Sequence, residues 1–387
     1  MATFFRGVRV LDAQLDVSWD DAVVSVATAG TARAPAGWNV VEGGLLTPPF
    51  AEPHVHLDAA LLGARAPNLS GTLREGIANW SRLRSELTAQ DVCSRASDTI
   101  KMYRSWGVLR WRTHVDTGSA VAVEALLDLR SRTPGLQVVA FPQEGIFRAP
   151  GRREAWEAAA RAGCDAVGAI PHFERTTEEG WASVRLAFAL ARELGRCVDL
   201  HCDETDDPGS RNLEVVCAEA QVGDVSHVLA GHCTAMHSYP DPYAAKVCEL
   251  VASARVQVVT NPLDNVVLQG RYDGYPKRRG LTRVDELWAA GAVVGIGHDS
   301  VMDPWYRLGT ANLIDAAYML VHVGHLTGEA EMKRVVRTLH TENHLPFGSV
   351  PTVSVGAEAV VHWPVADEVE LLRVRPRPTV YERGTAT

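Results

Sequence analysis

Apolar runs and polar stretches alternate through the middle of the chain with a regular spacing. Eight short β-branched or apolar segments recur: LLTPPFAEPHVH (45–56), VLRWRTHVD (108–116), LQVVAFPQE (136–144), AVGAIPHF (166–173), CVDLHCDE (197–204), SHVLAGHC (226–233), VQVVTNP (256–262) and AVVGIGHDS (292–300). Near-continuous apolar runs of this length predict strands buried on both faces. Between them, segments such as REAWEAAARAG (153–163), SVRLAFALARELG (183–195), AAKVCELVASA (244–254) and VDELWAAGA (284–292) repeat Ala and Leu at helical spacing, with charges on the other face. Eight strand-plus-helix units predict an α/β fold, a (β/α)8 TIM-like barrel. A doubly wound sheet fits less well, because no G-x-G-x-x-G turn follows the first strand.

The two ends of the chain read differently. FRGVRVLD and AVVSVAT near the start, and GAEAVVHWP, EVELLRVRP and TVYERG near the end, predict short strands. Residues 1–47 and 351–387 are therefore expected to form one small β domain, with the barrel spanning 48–350. The stretches 63–76 and 271–280 predict long loops at the catalytic mouth.

Charge and cysteine content narrow the class. With 38 basic and 47 acidic side chains the formal charge is −9, which disfavours nucleic-acid binding and a membrane-surface role. Seven cysteines, an odd number with no C-x-x-C pair, predict reduced thiols in a cytoplasmic protein. No run of about 18 apolar residues predicts a membrane span, and MATFFRGVRVLD does not read as a signal peptide.

Polar residues gather at the C-terminal ends of the predicted strands, the active-site face of such a barrel. His54 and His56 stand two apart on strand 1 and so share a face. His201 ends strand 5 and Asp299 ends strand 8. Three imidazoles and a carboxylate suit a divalent ion such as Zn2+ or Fe2+. Glu204, three residues beyond His201, is a candidate proton shuttle. His232 ends strand 6, either to hold an attacking water or to act as a fifth ligand. Gln143 carries an amide suited to the edge of a heterocycle, and Leu73, Phe141 and Trp305 are candidate apolar walls. His114 is expected behind the ligands, His172 has no assigned role, and the acid-rich neighbourhood is expected to fix the ligand tautomers.

The blocks PPFAEPHVHLD, SGTLREGI, THVD, VAFPQEGI, VGAIPHFE, HCDETDD, TAMHSY, NPLDNVVLQGRYDGYPKRRG and GHDSVMDPWYRLGTAN, which together span roughly residues 45–315, resemble the cytosine deaminase branch of the amidohydrolase superfamily. The resemblance implies hydrolytic deamination of a small free pyrimidine base, with one Fe2+ or Zn2+ per subunit. It matches His54, His56, His201 and Asp299 to the metal ligands, Glu204 to the proton shuttle and His232 to the water-assisting histidine. It also matches Gln143 to the O2/N1 edge, and Leu73, Phe141 and Trp305 to the pocket. Two-metal relatives carry a bridging carboxylated Lys at the end of strand 4; GAIPHFE has none, which implies a single ion.

The main departure is Ser300, in HDS where the branch usually has HDD. Relatives with Ser there resemble 5-methylcytosine deaminases. A serine removes the clash and desolvation that a C5 methyl would meet against a buried carboxylate. The expected substrate is 5-methylcytosine, with cytosine beside it. Alternatives are another cyclic amidine (isocytosine, creatinine or a triazine) and, behind these, a cyclic amide opened by hydrolysis. A homo-oligomer is left open.

Overall fold

A computed structural model of the chain describes residues 1–384; residues 385–387, the end of the expected small domain, lie outside the described residues. Eight parallel strands follow one another around a barrel: Phe50–Val55, Val108–Asp116, Leu136–Phe141, Ala166–Val167, Cys197–Cys202, Val228–His232, Gln257–Thr260 and Val294–Ile296. We number them 1 to 8. All are almost wholly buried, as a parallel sheet wrapped by helices requires. The wrapping helices begin at capped positions. Thr72, Thr88, Ser119, Thr176 and Asn312 each accept a backbone N–H of the first helical turn.

Barrel strand 4 is shorter than its apolar run suggests. Regular strand covers only Ala166–Val167, with single backbone bonds from Gly168 N to the Ala140 carbonyl and from His201 N to the Ala169 carbonyl beyond it, and Pro171–Phe173 form a 3-10 turn. Pro171 has no N–H to give a ladder. The helix Leu73–Leu83 also starts inside the segment expected to be loop, because Thr72 caps it by accepting from Glu75 N.

Strands 8 and 1 close the barrel without a full ladder. A single bridge joins Val55 and Asp299, with Asp299 N donating to the His54 carbonyl at 3.0 Å. Buried side chains supply the rest. Asn343 Nδ2 donates to the carbonyls of Ala51 and Ile296, and its Oδ1 accepts from Ile296 N, all at 2.8 Å. Glu52 accepts from His54 N at 2.9 Å and His298 N at 3.0 Å. Two fully buried side chains thus hold the seam on which His54 and Asp299 stand.

Both chain ends enter one seven-stranded sheet beside the barrel. Ala359–Trp363 pairs antiparallel with Leu45–Thr47, the strand that leads into barrel strand 1. Trp363 stacks on Phe50 with centroids 5.3 Å apart and donates its indole N–H to Thr47 Oγ1 at 3.1 Å, which anchors the sheet to the barrel. One expectation is corrected. EVELLRV is not a strand but the helix Glu368–Val374, started by Asp367, whose side chain accepts from Glu370 N. Helical spacing buries Glu368, Leu371 and Leu372 on one side.

Candidate active site

The ends of strands 1, 5 and 8 bring four donor atoms together at the mouth of the barrel. His201 Nε2 lies 3.2 Å from His54 Nε2 and 3.1 Å from His56 Nε2. Asp299 Oδ1 lies 3.7 Å from His54 Nε2 and 3.4 Å from His56 Nε2. A tetrahedral ion about 2.0–2.1 Å from each donor sets donor–donor distances of about 3.3 Å. Three imidazole nitrogens that converge so closely cannot satisfy one another by hydrogen bonds alone, whereas an ion between them satisfies all. Burial first, then neighbouring imidazoles, holds the His54, His56 and His201 rings below their ordinary pKa. They are therefore neutral, the form that binds metal.

The far sides of these rings depart from expectation. His56 Nδ1 pairs with the His114 carbonyl at 3.2 Å, but the Nδ1 atoms of His54 and His201 are buried without partners. The carboxylates do not fix these two tautomers: Asp199, behind the rings, bonds His114 and Arg112, and Glu52 bonds backbone N–H groups of the seam. Gly231 leaves space for the His54 ring; a Cβ there would lie 3.0 Å from its Nδ1. His201 stacks on Phe141 at 3.8 Å and 16°. Phe141 therefore supports a ligand ring from behind and does not line the cavity. His114 lies beside His54, its ring 4.1 Å away, with Nε2 on Asp199 at 3.1 Å, and its nitrogens come close enough to those of His54 and His201 for the three to form a second candidate metal group. Asp199 also accepts from Arg112, itself fully buried.

A cavity opens above the four donors. Leu73, Gln143, Glu204, His232, Ser300 and Trp305 all line it; His172 does not, being on its 3-10 turn. Gly76 allows Trp305 to lie against the first helix, since a Cβ there would sit 2.5 Å from the indole. His232 and Asp299 both have φ of 67°, in the left-handed region. Strain in non-glycine residues collects where side chains are aimed at function. Burial pushes the Glu204 carboxyl up to about 8, so it carries a proton at neutral pH.

Sequence reasoning missed several members of this constellation. Asn265 Nδ2 lies 3.0 Å and Asn261 Nδ2 3.3 Å from His232 Nδ1, and together they hold the ring. Glu204 Oε1 stands 3.6 Å from the same nitrogen. Asp264 and Leu268 complete the cavity wall. Asp264 and Asp303 flank the Ser300 hydroxyl, so Ser300 does not stand in a carboxylate-free wall. The signal was in NPLDN, just past the end of strand 7, where the strand-end rule applies as it does elsewhere in the barrel.

Known proteins resemble the chain along its length. The amidohydrolase family model matches residues 98–341. The crystal structure of 5-methylcytosine deaminase from Klebsiella pneumoniae, liganded with 5-fluorocytosine, superposes with a TM-score of 0.94 at 37% identity, covering 100% of this chain and 96% of that one. Pterin deaminase from Rhizobium rhizogenes is 27% identical over 357 residues, 88% of this chain and 79% of its own length. N-isopropylammelide isopropylaminohydrolase from Burkholderia multivorans, at 22% identity over 100% of this chain and 97% of that one, shares the fold with a TM-score of 0.82.

Proposed function

Because this chain belongs to the amidohydrolase family, we propose that it is a metal-dependent deaminase that converts 5-methylcytosine to thymine and cytosine to uracil, with release of ammonia. The observation that carries the reading is a buried Glu204 sharing one small cavity with the converging donors of His54, His56, His201 and Asp299. Ser300 on the same wall, together with the likeness to 5-methylcytosine deaminase, supports the 5-methyl substrate.

When bound at the four donors, a single divalent ion, Fe2+ or Zn2+, supplies Lewis-acid activation of water near neutral pH. The chain's own groups do the rest. Gln143 holds the O2/N1 edge of the pyrimidine, and Trp305 and Leu73 flank its ring. Glu204 passes its proton to ring N3, which makes C4 electrophilic. Asp299 and His232 hold the attacking water, with His232 kept in place by Asn261 and Asn265. Water oxygen adds at C4, and Glu204 takes up the released proton and hands it to the exocyclic nitrogen; ammonia then leaves as the proton remaining on the C4 hydroxyl returns to Glu204 and the carbonyl forms. One water is consumed and one C–N bond is replaced by C=O.

The test is ammonia release by metal-quantified protein from 5-methylcytosine, cytosine, isocytosine, creatinine, a triazine and pterin. The expected result is highest kcat/KM on 5-methylcytosine, cytosine next. Preference for any of the other compounds would overturn the substrate assignment and leave the hydrolase class standing.

A further inference from the structure

The reaction as derived leaves one wall of the cavity unused. Asp264 stands in the first turn of the short helix Pro262–Leu268 and lines the cavity together with Glu204, Gln143 and Trp305. It is 1% exposed, and its Oδ1 is buried with no hydrogen-bond partner. The charged groups around it are Asp299, Asp303 and Glu204. No cation of the chain faces it among these neighbours, and the Ser300 hydroxyl against it is shared with Asp303. Ser300 and Asp299 share hydrogen bonds with this carboxyl but leave Oδ1 unpaired; a buried oxygen left without a donor is costly, so the donor that suits this atom is one that arrives with the substrate.

The chemistry of the pyrimidine limits which donor that is. On the deaminase reading, on which this inference rests, Gln143 takes the O2/N1 edge and Glu204 takes N3. The N–H groups left on the ring are the two hydrogens of the exocyclic amine. One points toward N3 and Glu204; the other points toward C5. Asp264 packs against Asp299, beside the attacked carbon, and against Ser300, the residue read as facing C5. We propose that Asp264 is a substrate-contacting residue that accepts a hydrogen bond from the C5-side hydrogen of the exocyclic amine. Asp264 and Glu204 then hold the leaving nitrogen between two carboxyls.

The arrangement favours the forward reaction at two points. As C4 becomes tetrahedral, the nitrogen gains basicity and takes a proton, so its hydrogen bond to Asp264 becomes charge-assisted and strengthens on the way to ammonia loss. The product carries an oxygen in place of the amine. That oxygen has no hydrogen to offer, so the hydrogen bond that Asp264 accepts from the amine is lost with the product.

Binding separates this role from a structural one. In a metal-loaded Glu204→Gln background, which stops turnover on the proposed mechanism, calorimetry gives Kd for 5-methylcytosine and for thymine. Adding Asp264→Asn is expected to weaken 5-methylcytosine by on the order of 10- to 100-fold, and to leave thymine unchanged or tighten it, since the new amide can donate to the product oxygen. Metal content per chain should not change. Equal weakening of both ligands, or no change in either, overturns the proposal. Asp264→Ser, smaller than the native side chain, reads the same ratio if the Asn variant does not fold. Wild-type protein that releases no ammonia from 5-methylcytosine or cytosine would instead overturn the deaminase reading.

Discussion

Replacing Glu204 by Gln tests the site through activity and stability together. Glu204 is buried, and burial alone raises its carboxyl from 4.5 to about 8. A carboxyl raised in the folded state keeps its proton while the unfolded chain has lost it, so wild-type stability falls as pH rises from 4.5 to about 8 and then levels off. The whole shift withdraws at most about 5 kcal/mol from the folded state. Gln fills the same volume and does not titrate. In protein stripped of metal, urea unfolding followed by tryptophan fluorescence should show E204Q no more stable than wild type at pH 4.5. Its advantage should grow to a few kcal/mol by pH 8. In metal-loaded protein the same change should lower kcat by about 10²- to 10⁴-fold while leaving metal content intact. A stability difference that does not vary with pH would refute the buried-acid reasoning. Near-native turnover by metal-loaded E204Q would refute the proton-shuttle role.

Three further changes probe the surroundings. Ser300→Asp adds a carboxyl beside Asp264 and Asp303; it should lower the preference for 5-methylcytosine over cytosine by about 10- to 100-fold, whereas an equal loss on both substrates would refute the steric account. Asp199→Ala leaves the fully buried Arg112 without its carboxylate and should cost about 3–5 kcal/mol in urea unfolding; a loss below about 1 kcal/mol would mean that solvent reaches the guanidinium. Asn343→Ala removes three buried hydrogen bonds across the seam and should cost about 3–5 kcal/mol. It should also lower the chelator concentration that strips the metal, and an unchanged chelation midpoint would show that the seam and the ligand cluster are not coupled.

The barrel was legible because a parallel strand covered on both faces leaves an uninterrupted apolar run, and eight such runs recur. The four candidate ligands were legible because their residue types fall at strand ends. Short segments were harder. EVELLRV fits alternation and helical spacing about equally over seven residues, and the cap at Asp367 decides for helix. AVGAIPHF reads as a full strand, yet regular strand covers two residues, backbone bonds to the neighbours end at Ala169, and the chain turns at Pro171. Asn261, Asp264 and Asn265 reach the site from a turn beyond strand 7, so their contact with His232 and Ser300 depends on the fold of that turn. The roles of Glu52 and Asn343 were least visible, because each joins strands nearly 250 residues apart in the chain.

The seam explains why the metal cluster belongs where it is. His54 and His56 lie on one side of the gap between strands 1 and 8, and Asp299 lies on the other. An ion held by all three, with His201, would join edges that the backbone ladder leaves mostly unpaired. The same region collects Glu52, Glu204, Asp264, Asp299 and Asp303, all buried. Burial and mutual repulsion disfavour that many carboxylates in one place unless protons or a cation compensate. On the proposed mechanism a divalent ion would supply the cation, and a raised Glu204 would carry the proton that the deamination moves. Metal affinity, barrel closure and acid chemistry therefore rest on the same cluster of buried acids, so a change that relieves their repulsion should stabilise the fold and weaken the catalyst together.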